Sequence, residues 1–370
     1  MLPLDGVKVV AIEQAVAAPF ASARLADAGA EVVKIERPEG DFARGYDSVA
    51  KGQASYFVWL NRGKRSETLD LARPEHKQRL EALIADADIL LQNLKPGALA
   101  KLGFDKARLR QDYPALIVCS ISGFGETGPM AHRKAYDLLI QAEAGLCSVT
   151  GGPSEPSRVG TSVVDIATGA TAYAAILEAL IQRGRSGRGR SGQGADISVS
   201  MFDVIAEWMT VPLLNHEGGH SPKRVGLAHP SIAPYGVFTP ASGAPILISI
   251  QSDREWAVLC RHFLEQPELA DDPRFANNVA RVQNRAQTDA VVAAAFAKLS
   301  AEDAIDRLSK ANIALASVND MAGLAAHPHL RRIIVDTPAG PVAMPAPGAQ
   351  FLGAARSYGP VPALNPVDGD

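Results

Sequence analysis

Between Val159 and Leu180 the chain reads VGTSVVDIATGATAYAAILEAL, and only Asp165 and Glu178 are charged in a stretch otherwise small or apolar. The Ala-rich pattern that starts directly after Asp165 predicts a buried helix with a carboxylate at its head. Two kinds of chemistry suit that position. Asp is a favoured N-cap, its oxygen accepting from backbone N–H groups two or three residues on. A carboxylate at a helix N-terminus flanked by small residues, here Ala167 and Gly169, also leaves room for a substrate carbonyl and can serve as a nucleophile. One oxygen can cap while the other reacts. No second acid or histidine stands at ligand spacing, so no metal is expected.

Other reactive residue types carry weaker patterns. Cys119, Cys147 and Cys260 are widely spaced in apolar surroundings and read as reduced core thiols. Glu36 lies about twenty residues after the turn that follows the first predicted strand, where a ribose-binding acid would stand in a dinucleotide fold. That turn reads EQAVAAP and has no G-x-G-x-x-G, so no cradle for a pyrophosphate is specified. The basic run RGRSGRGRSGQG, Arg183 to Gly194, is rich in Gly and Ser and reads as a flexible loop after a helix.

The elements that must position these groups follow from periodicity. VKVVAIEQ, an Ala-rich helix ending at Gly29, and EVVKIERP form a strand, helix, strand unit. KRSETLDL, a helix through HKQRLEALIADA, and the strands DILLQNL and LIVCSISGFG continue the alternation to about residue 125. This predicts an α/β fold with a Rossmann-like, largely parallel sheet, whose ligands sit in the turns after Ile12, Ile35, Leu91 and Ile121. VTGGPSEPSRVG, Val149 to Gly160, reads as a loop feeding the Asp165 helix. Beyond ADISVSMFDVIAEW the character changes: APILISIQ reads as a strand, DREWAVLCRHFL and DAVVAAAFAKL as helices. The expected organisation is a large domain over residues 1–221, a small α/β domain over 222–325, and a segment 326–370 that returns to the large domain.

Composition narrows the partners. Of 370 residues 47% are hydrophobic and 21% charged, and the formal net charge of −3 argues against a nucleic-acid partner. No apolar run is read as long enough to span a bilayer, and MLPLDGVKVV has no basic n-region before an apolar stretch, so the expected location is the cytoplasm, away from the membrane.

Seven blocks, in order, carry a resemblance: LDGVKVVAIEQ, GAEVVKIERPEGD, YFVWLNRGKRSETLDL, ADILLQNLKPGALAKLGF, SISGFGETGP, KAYDLLIQAEAGL and VVDIATGATAYAAILEAL. Over essentially its full length the sequence resembles the family III CoA-transferases, the group containing formyl-CoA transferase and carnitine CoA-transferase. The resemblance implies that Asp165 is the catalytic aspartate, acylated through a mixed anhydride and then an aspartyl-CoA thioester. It implies that Arg37 meets the adenine and phosphate end of CoA, and that Val16 and Ala17 line the thioester end, although many relatives carry glutamine where Val16 stands. Leu69, Asn93, Leu94, Lys95, Lys101, Lys134, Tyr136 and Met201 fall on CoA-contact positions. Coenzyme A is then part of the substrate and no other cofactor is implied. The resemblance also implies an interlocked homodimer.

Acyl-CoA racemases share the scaffold but place a histidine in a G-H-D motif to shuttle the α-proton. Here the stretch is AYD, Ala135 to Asp137, with Tyr136 in the histidine's place, which favours transfer. A 2-methylacyl-CoA racemase and a non-catalytic CoA-binding protein stand as the alternatives. RVGLAHPSIAPYG replaces the glycine-rich loop of formyl and oxalate enzymes, and Arg224 and His229 within it are the residues expected to meet the second carboxylate of a succinyl, mesaconyl, itaconyl or citramalyl group.

Overall fold

The structure is a computed structural model and describes residues 2–186, 192–351 and 356–365. The chain divides into two compact units: residues 1–147, 158–214 and 331–370 make the first, and 148–157 with 215–330 the second.

In the first unit, β1 (Lys8–Ile12), β2 (Glu31–Glu36), β3 (Lys64–Thr68), β4 (Ile89–Gln92), β5 (Ile117–Ser122) and β6 (Asp196–Ser200) form one sheet in the order β3-β2-β1-β4-β5-β6. Every pairing is parallel. This is the strand order of dinucleotide-binding Rossmann sheets, reached here without their glycine turn. The sixth strand, DISVS, is one the sequence pattern did not reveal. It is a short edge strand, and Ser200 ends it by capping the next helix through the Asp203 N–H. The helices in chain order are α1 (Ala17–Asp27), α2 (Ser55–Asn61), α3 (Pro74–Ala85), α4 (Ala98–Lys101), α5 (Lys106–Asp112), α6 (Asp137–Glu143), α7 (Leu146–Val149), α8 (Val163–Ser186), α9 (Met201–Trp208) and α10 (Thr210–Glu217).

Alternation along β1 builds the two sides of the sheet. Val9 and Ala11 pack with α1 and α8, while Val10 and Ile12 pack with Leu80 and Ile84 of α3. Among the described residues α8 is long and apolar enough, over Val163–Arg185, to cross a membrane, which corrects the expectation that no such run exists. Its hydropathy comes from small side chains that let it lie in the core, with Val164, Ala167, Ala172 and Ile176 buried. Gly169 brings α8 against α1, since a Cβ there would lie 2.4 Å from Ala17 O and 2.9 Å from Phe20 Cβ. The helix also continues into the basic run. Arg183 is buried in an ion pair with Asp88 at 2.9 Å, so the start of that run is structured, and its residues 187–191 lie outside those described.

The hairpin β10 (Arg332–Val335) and β11 (Val342–Pro345) belongs to the first unit, where Val335 and Met344 pack on Phe57 and Val58. The second unit is an antiparallel sheet, β7 (Tyr235–Phe238), β8 (Ile246–Ser249) and β9 (Ala314–Ser317), whose core is shared with α11 (Asp253–His262), α13 (Arg285–Phe296) and α14 (Ala301–Lys310); α12 (Asn278–Gln283) and α15 (Met321–Ala325) complete its helices. Trp256, Phe263, Phe275 and Phe296 fill its core. Cys119 and Cys260 are buried, and burial pushes both thiols up to about 12; Cys147 is only half-buried, so it is not the core thiol expected.

Candidate active site

The carboxyl ends of β1, β4, β5 and β6 open into a cleft of 620 Å³ within the first unit. An α/β sheet binds ligands where its strand order reverses, here between β1 and β4. The turn after β1 supplies Gln14, Ala15, Val16 and Ala17, and the turn after β4 supplies Asn93, Leu94, Lys95 and Pro96. Ser122 and Gly123 follow from β5, Met201 from the end of β6, and Lys134 to Leu138 from the start of α6. Asp165 lines the same cleft.

The two turns hold each other. Asn93 Oδ1 accepts from Gln14 N at 3.0 Å, and Asn93 Nδ2 donates back to Gln14 O at 2.8 Å. Ala15 sits at φ 63°, a left-handed conformation that a residue with a Cβ rarely takes. Its N–H donates to Asp41 Oδ1 at 3.1 Å, and Asp41 Oδ2 is paired with Lys34 Nζ at 2.8 Å. Lys64 Nζ reaches Glu13 Oε1 at 2.7 Å, and Glu13 Oε2 accepts from the Ser22 hydroxyl at 2.6 Å. These groups are buried, and such groups persist only when paired and hydrogen-bonded. Burial pulls Lys64 down to about 8 although Glu13 opposes it. Glu36 belongs to this network and not to a ribose site: burial would raise it, but hydrogen bonds from Arg44 and Ser66 hold it at about 2.

Asp165 is the third residue of α8 and does not cap it. Asp137 does: its Oδ2 accepts from Val164 N at 2.8 Å and from Asp165 N at 3.2 Å. Neither oxygen of the Asp165 side chain has a hydrogen-bond or ion-pair partner among the described residues. Burial first, and the nearby Asp137 carboxylate second, push Asp165 up to about 7. Tyr46 faces the same region, its phenol raised to about 12 by burial and by Asp41 and Asp165. The Tyr56 hydroxyl is 2.8 Å from Ser162 Oγ. Close backbone approach fixes α6 at the strand ends, since a Cβ on Gly123 would meet Ala135 Cβ at 2.1 Å.

Of the residues singled out in the sequence, Val16, Ala17, Asn93, Leu94, Lys95, Lys134, Tyr136, Asp165 and Met201 line this one cleft. Arg37, Leu69 and Lys101 do not. Arg37, just beyond β2, and Lys101, the last residue of α4, are exposed, and the Leu69 side chain is packed with Val10 and Ile35. Arg224 and His229 belong to the second unit. There the Arg224 guanidinium donates to the carbonyls of Gly152, Ser148 and Pro153, and the His229 ring stacks on Tyr235 at 5.3 Å. Residues not singled out also line the cleft, among them Tyr46, Tyr56, Asp137, Ser122 and Arg158. Asp137 closes the quoted AYD stretch, so its position was visible while its partner was not. Among the described residues no group of three His, Cys, Asp or Glu side chains could hold a metal.

A carboxylate without a partner, raised toward neutrality and facing a cleft edged by lysines, suits attack on an activated acyl group carried by a large anionic ligand. Comparison with known proteins identifies the family. The chain is 36% identical to acetyl-CoA:oxalate CoA-transferase of Acetobacter aceti, covering 95% of this chain and 90% of that one. It is 35% identical to succinate–glutarate CoA-transferase of Agrobacterium fabrum, covering 89% and 83%. A crystal structure of a CAIB/BAIF family protein from Brucella suis superposes with a TM-score of 0.82 at 36% identity, covering 98% and 97%. With residues 4–366 matching the family as a whole, the chain belongs to CoA-transferase family III.

Proposed function

We propose that this enzyme moves CoA between an acyl-CoA and a short dicarboxylic acid, with Asp165 as the group that becomes acylated. The observation that carries this reading is the Asp165 carboxylate itself, unpartnered in a cleft at the switch point of the sheet. An Asp165 oxygen attacks the donor thioester carbonyl, the C–S bond breaks, and CoA leaves as thiolate from a mixed anhydride. The thiolate attacks the aspartyl carbonyl, releasing the donor acid and leaving CoA as a thioester on Asp165. The acceptor carboxylate then runs the two steps in reverse. Each exchange between weakly reactive acyl groups becomes a pair of easier ones.

Lys95 and Lys134, lining the cleft, with exposed Arg37 just after β2 and exposed Lys101 at the end of α4, are read as cations for the CoA phosphates. Val16, Ala17, Asn93, Leu94, Tyr136 and Met201 form the wall along the pantetheine arm. Names of relatives that act on oxalate, succinate and glutarate support a dicarboxylate as the exchanged acid. For its second carboxylate the favoured anchor is Arg158, which lines the cleft with Asp165 and, among the described residues, has only the Gly160 carbonyl as a partner. Of the sequence candidates, Arg224 commits its guanidinium to carbonyls of its own unit, and His229 accepts from Ser231 N through Nδ1. A homodimer is part of the proposal, supported by exposed Trp208, Val211 and Leu214 along α9 and α10, and light scattering reads it directly.

Incubation with succinyl-CoA, trapping with hydroxylamine or borohydride, and peptide mass spectrometry test the reading. An adduct confined to the Asp165 peptide is expected. An unmodified peptide in turning-over enzyme rejects it, and α-deuterium uptake without an acceptor acid points to the racemase instead.

A further inference from the structure

The first turn of α8 offers Asp165 no donor of its own. Val163 N donates to Thr161 O at 2.8 Å and Ile166 N to Ser162 O at 3.0 Å. The N–H groups between them, of Val164 and Asp165, are both taken by Asp137 Oδ2. A helix starts with free N–H groups that a side chain at its own head ordinarily accepts. Here the acceptor comes from a residue 28 positions away.

Asp137 is in turn held. Its Oδ1 accepts from Gln141 Nε2 at 2.6 Å, and Gln141 Oε1, on a fully buried side chain, accepts from Val159 N at 2.8 Å. One pair of side chains on α6 therefore pins the chain both at residue 159 and at the head of α8.

We propose that Asp137 is a positioning residue for the transfer reaction: by taking the N–H groups at the head of α8 it leaves the Asp165 carboxylate without an internal partner and facing the cleft, and with Gln141 it fixes the segment from which that carboxylate projects. This rests on the reading of Asp165 as the acylated group. A carboxylate suits the task better than an amide, because it accepts charge-assisted bonds from the positive end of the helix dipole. Its negative charge also disfavours ionisation of Asp165, keeping the nucleophile poised near neutrality and not fully ionised. The other titratable or charged groups lining the cleft with Asp165 are Tyr46, Tyr56, Tyr136, Lys95, the run from His132 to Lys134, and Arg158. Of these, none supplies an acceptor to the head of α8.

The variants Asp137→Asn, Asp137→Ala and Gln141→Leu separate charge from anchoring. Carbon-13 NMR follows titration of the Asp165 carboxyl in the protein without substrate, and steady-state kinetics with succinyl-CoA follow kcat and KM against pH. Asp137→Asn keeps an acceptor and loses the charge, so the Asp165 midpoint falls toward the ordinary carboxylate range and the acid limb of kcat/KM moves down with it. Asp137→Ala and Gln141→Leu loosen the anchor, and kcat drops by about a hundredfold or less while KM for acyl-CoA holds, the scale of a misplaced reacting group. An Asp165 titration unchanged by Asp137→Asn, or parental kcat in Asp137→Ala, overturns the proposal. Should Asp137→Ala fail to fold, parental kcat in Gln141→Leu does so in its place. The NMR titration needs no turnover, so failure of the acylation reading shows separately, as a missing adduct on Asp165.

Discussion

In the first unit Glu13, Lys34, Glu36, Asp41 and Lys64 are buried around the turn that follows β1, whereas the interior of the second unit is aromatic, with Arg281 its buried cation. Arg281 donates to the carbonyls of Ala233 and Phe275 and to Asp253, and stacks on Trp256. That arrangement ties a loop to a helix and does nothing more. The charges of the first unit instead converge on Gln14 to Ala17, holding Ala15 in a left-handed conformation at the edge of the cleft. Buried ion pairs are weak devices for stability but good ones for fixing geometry. The contrast teaches that the buried charges next to the cleft form one connected network about a single turn, whereas pairs elsewhere, such as Asp88 with Arg183 and Asp253 with Arg281, join single points of the chain.

Changes at Asp165 break this contrast hardest. Asp165→Asn should fold and lose turnover by on the order of 10⁴-fold, the scale of removing a nucleophile, as measured by CoA exchange between succinyl-CoA and a dicarboxylate. In the parent enzyme kcat/KM should rise with pH through about 7, as Asp165 ionises. The linked stability effect has the opposite sense. A carboxyl raised from 3.8 to about 7 on folding favours the folded state below pH 4 and loses that contribution as pH rises to 7. The asparagine variant lacks this loss, so its melting temperature should gain on the parent's between pH 4 and 7.

A matched pair of core substitutions sharpens the comparison. Lys64→Met removes the nearer cation from buried Glu13, leaving Lys34 at 3.5 Å and the Ser22 hydroxyl as its partners, and should cost about 3 kcal/mol together with most of the turnover. Phe296→Ala, in the second unit, should cost about 3–5 kcal/mol as well but leave kcat near normal at a temperature where the protein is folded. Urea melts and kinetics on both decide it. Next in size, Arg158→Ala should raise KM for a dicarboxylate acceptor about tenfold while leaving a monocarboxylate unaffected, the order of one charge-assisted hydrogen bond. Arg224→Ala should not separate the two acids. The smallest effect concerns thiols: Cys147 should react with a chromogenic disulfide in the native protein, and Cys119 and Cys260 only on unfolding.

What the sequence made legible was local. The alternation of β1, α1 and β2, and the lone carboxylate at the head of an Ala-rich helix, are periods and contrasts within one window. So the turns after Ile12, Ile35, Leu91 and Ile121 could be named as ligand sites; those after Ile12, Leu91 and Ile121 border the cleft, and residues 36–41 after Ile35 do not line it. Roles that depend on distant partners were not legible. A capping role stood open for Asp165 beside the catalytic one because nothing in the chain near it announces that Asp137 accepts from the head of α8. Tyr56 opens the quoted block YFVWLNRGKRSETLDL but had no role legible there, and Tyr46 sits in none of the quoted blocks; Tyr56 reaches the cleft on α2, and Tyr46 packs edge-on against it at 5.9 Å. Residues 148–157 read as a plain loop, yet they group with the second unit through bonds such as that from Gly226 N to Gly151 O.

Gly169 has a practical meaning for anyone redesigning this protein. Replacing a helical glycine with alanine is a routine way to gain thermostability, worth about 1 kcal/mol in an exposed helix. At this position the added methyl would force α1 from α8 and so pry Ala17 away from Asp165. Glycine at 169 thus works as a spacer of zero thickness, and bulk introduced there would be a dial on the gape of the reaction chamber.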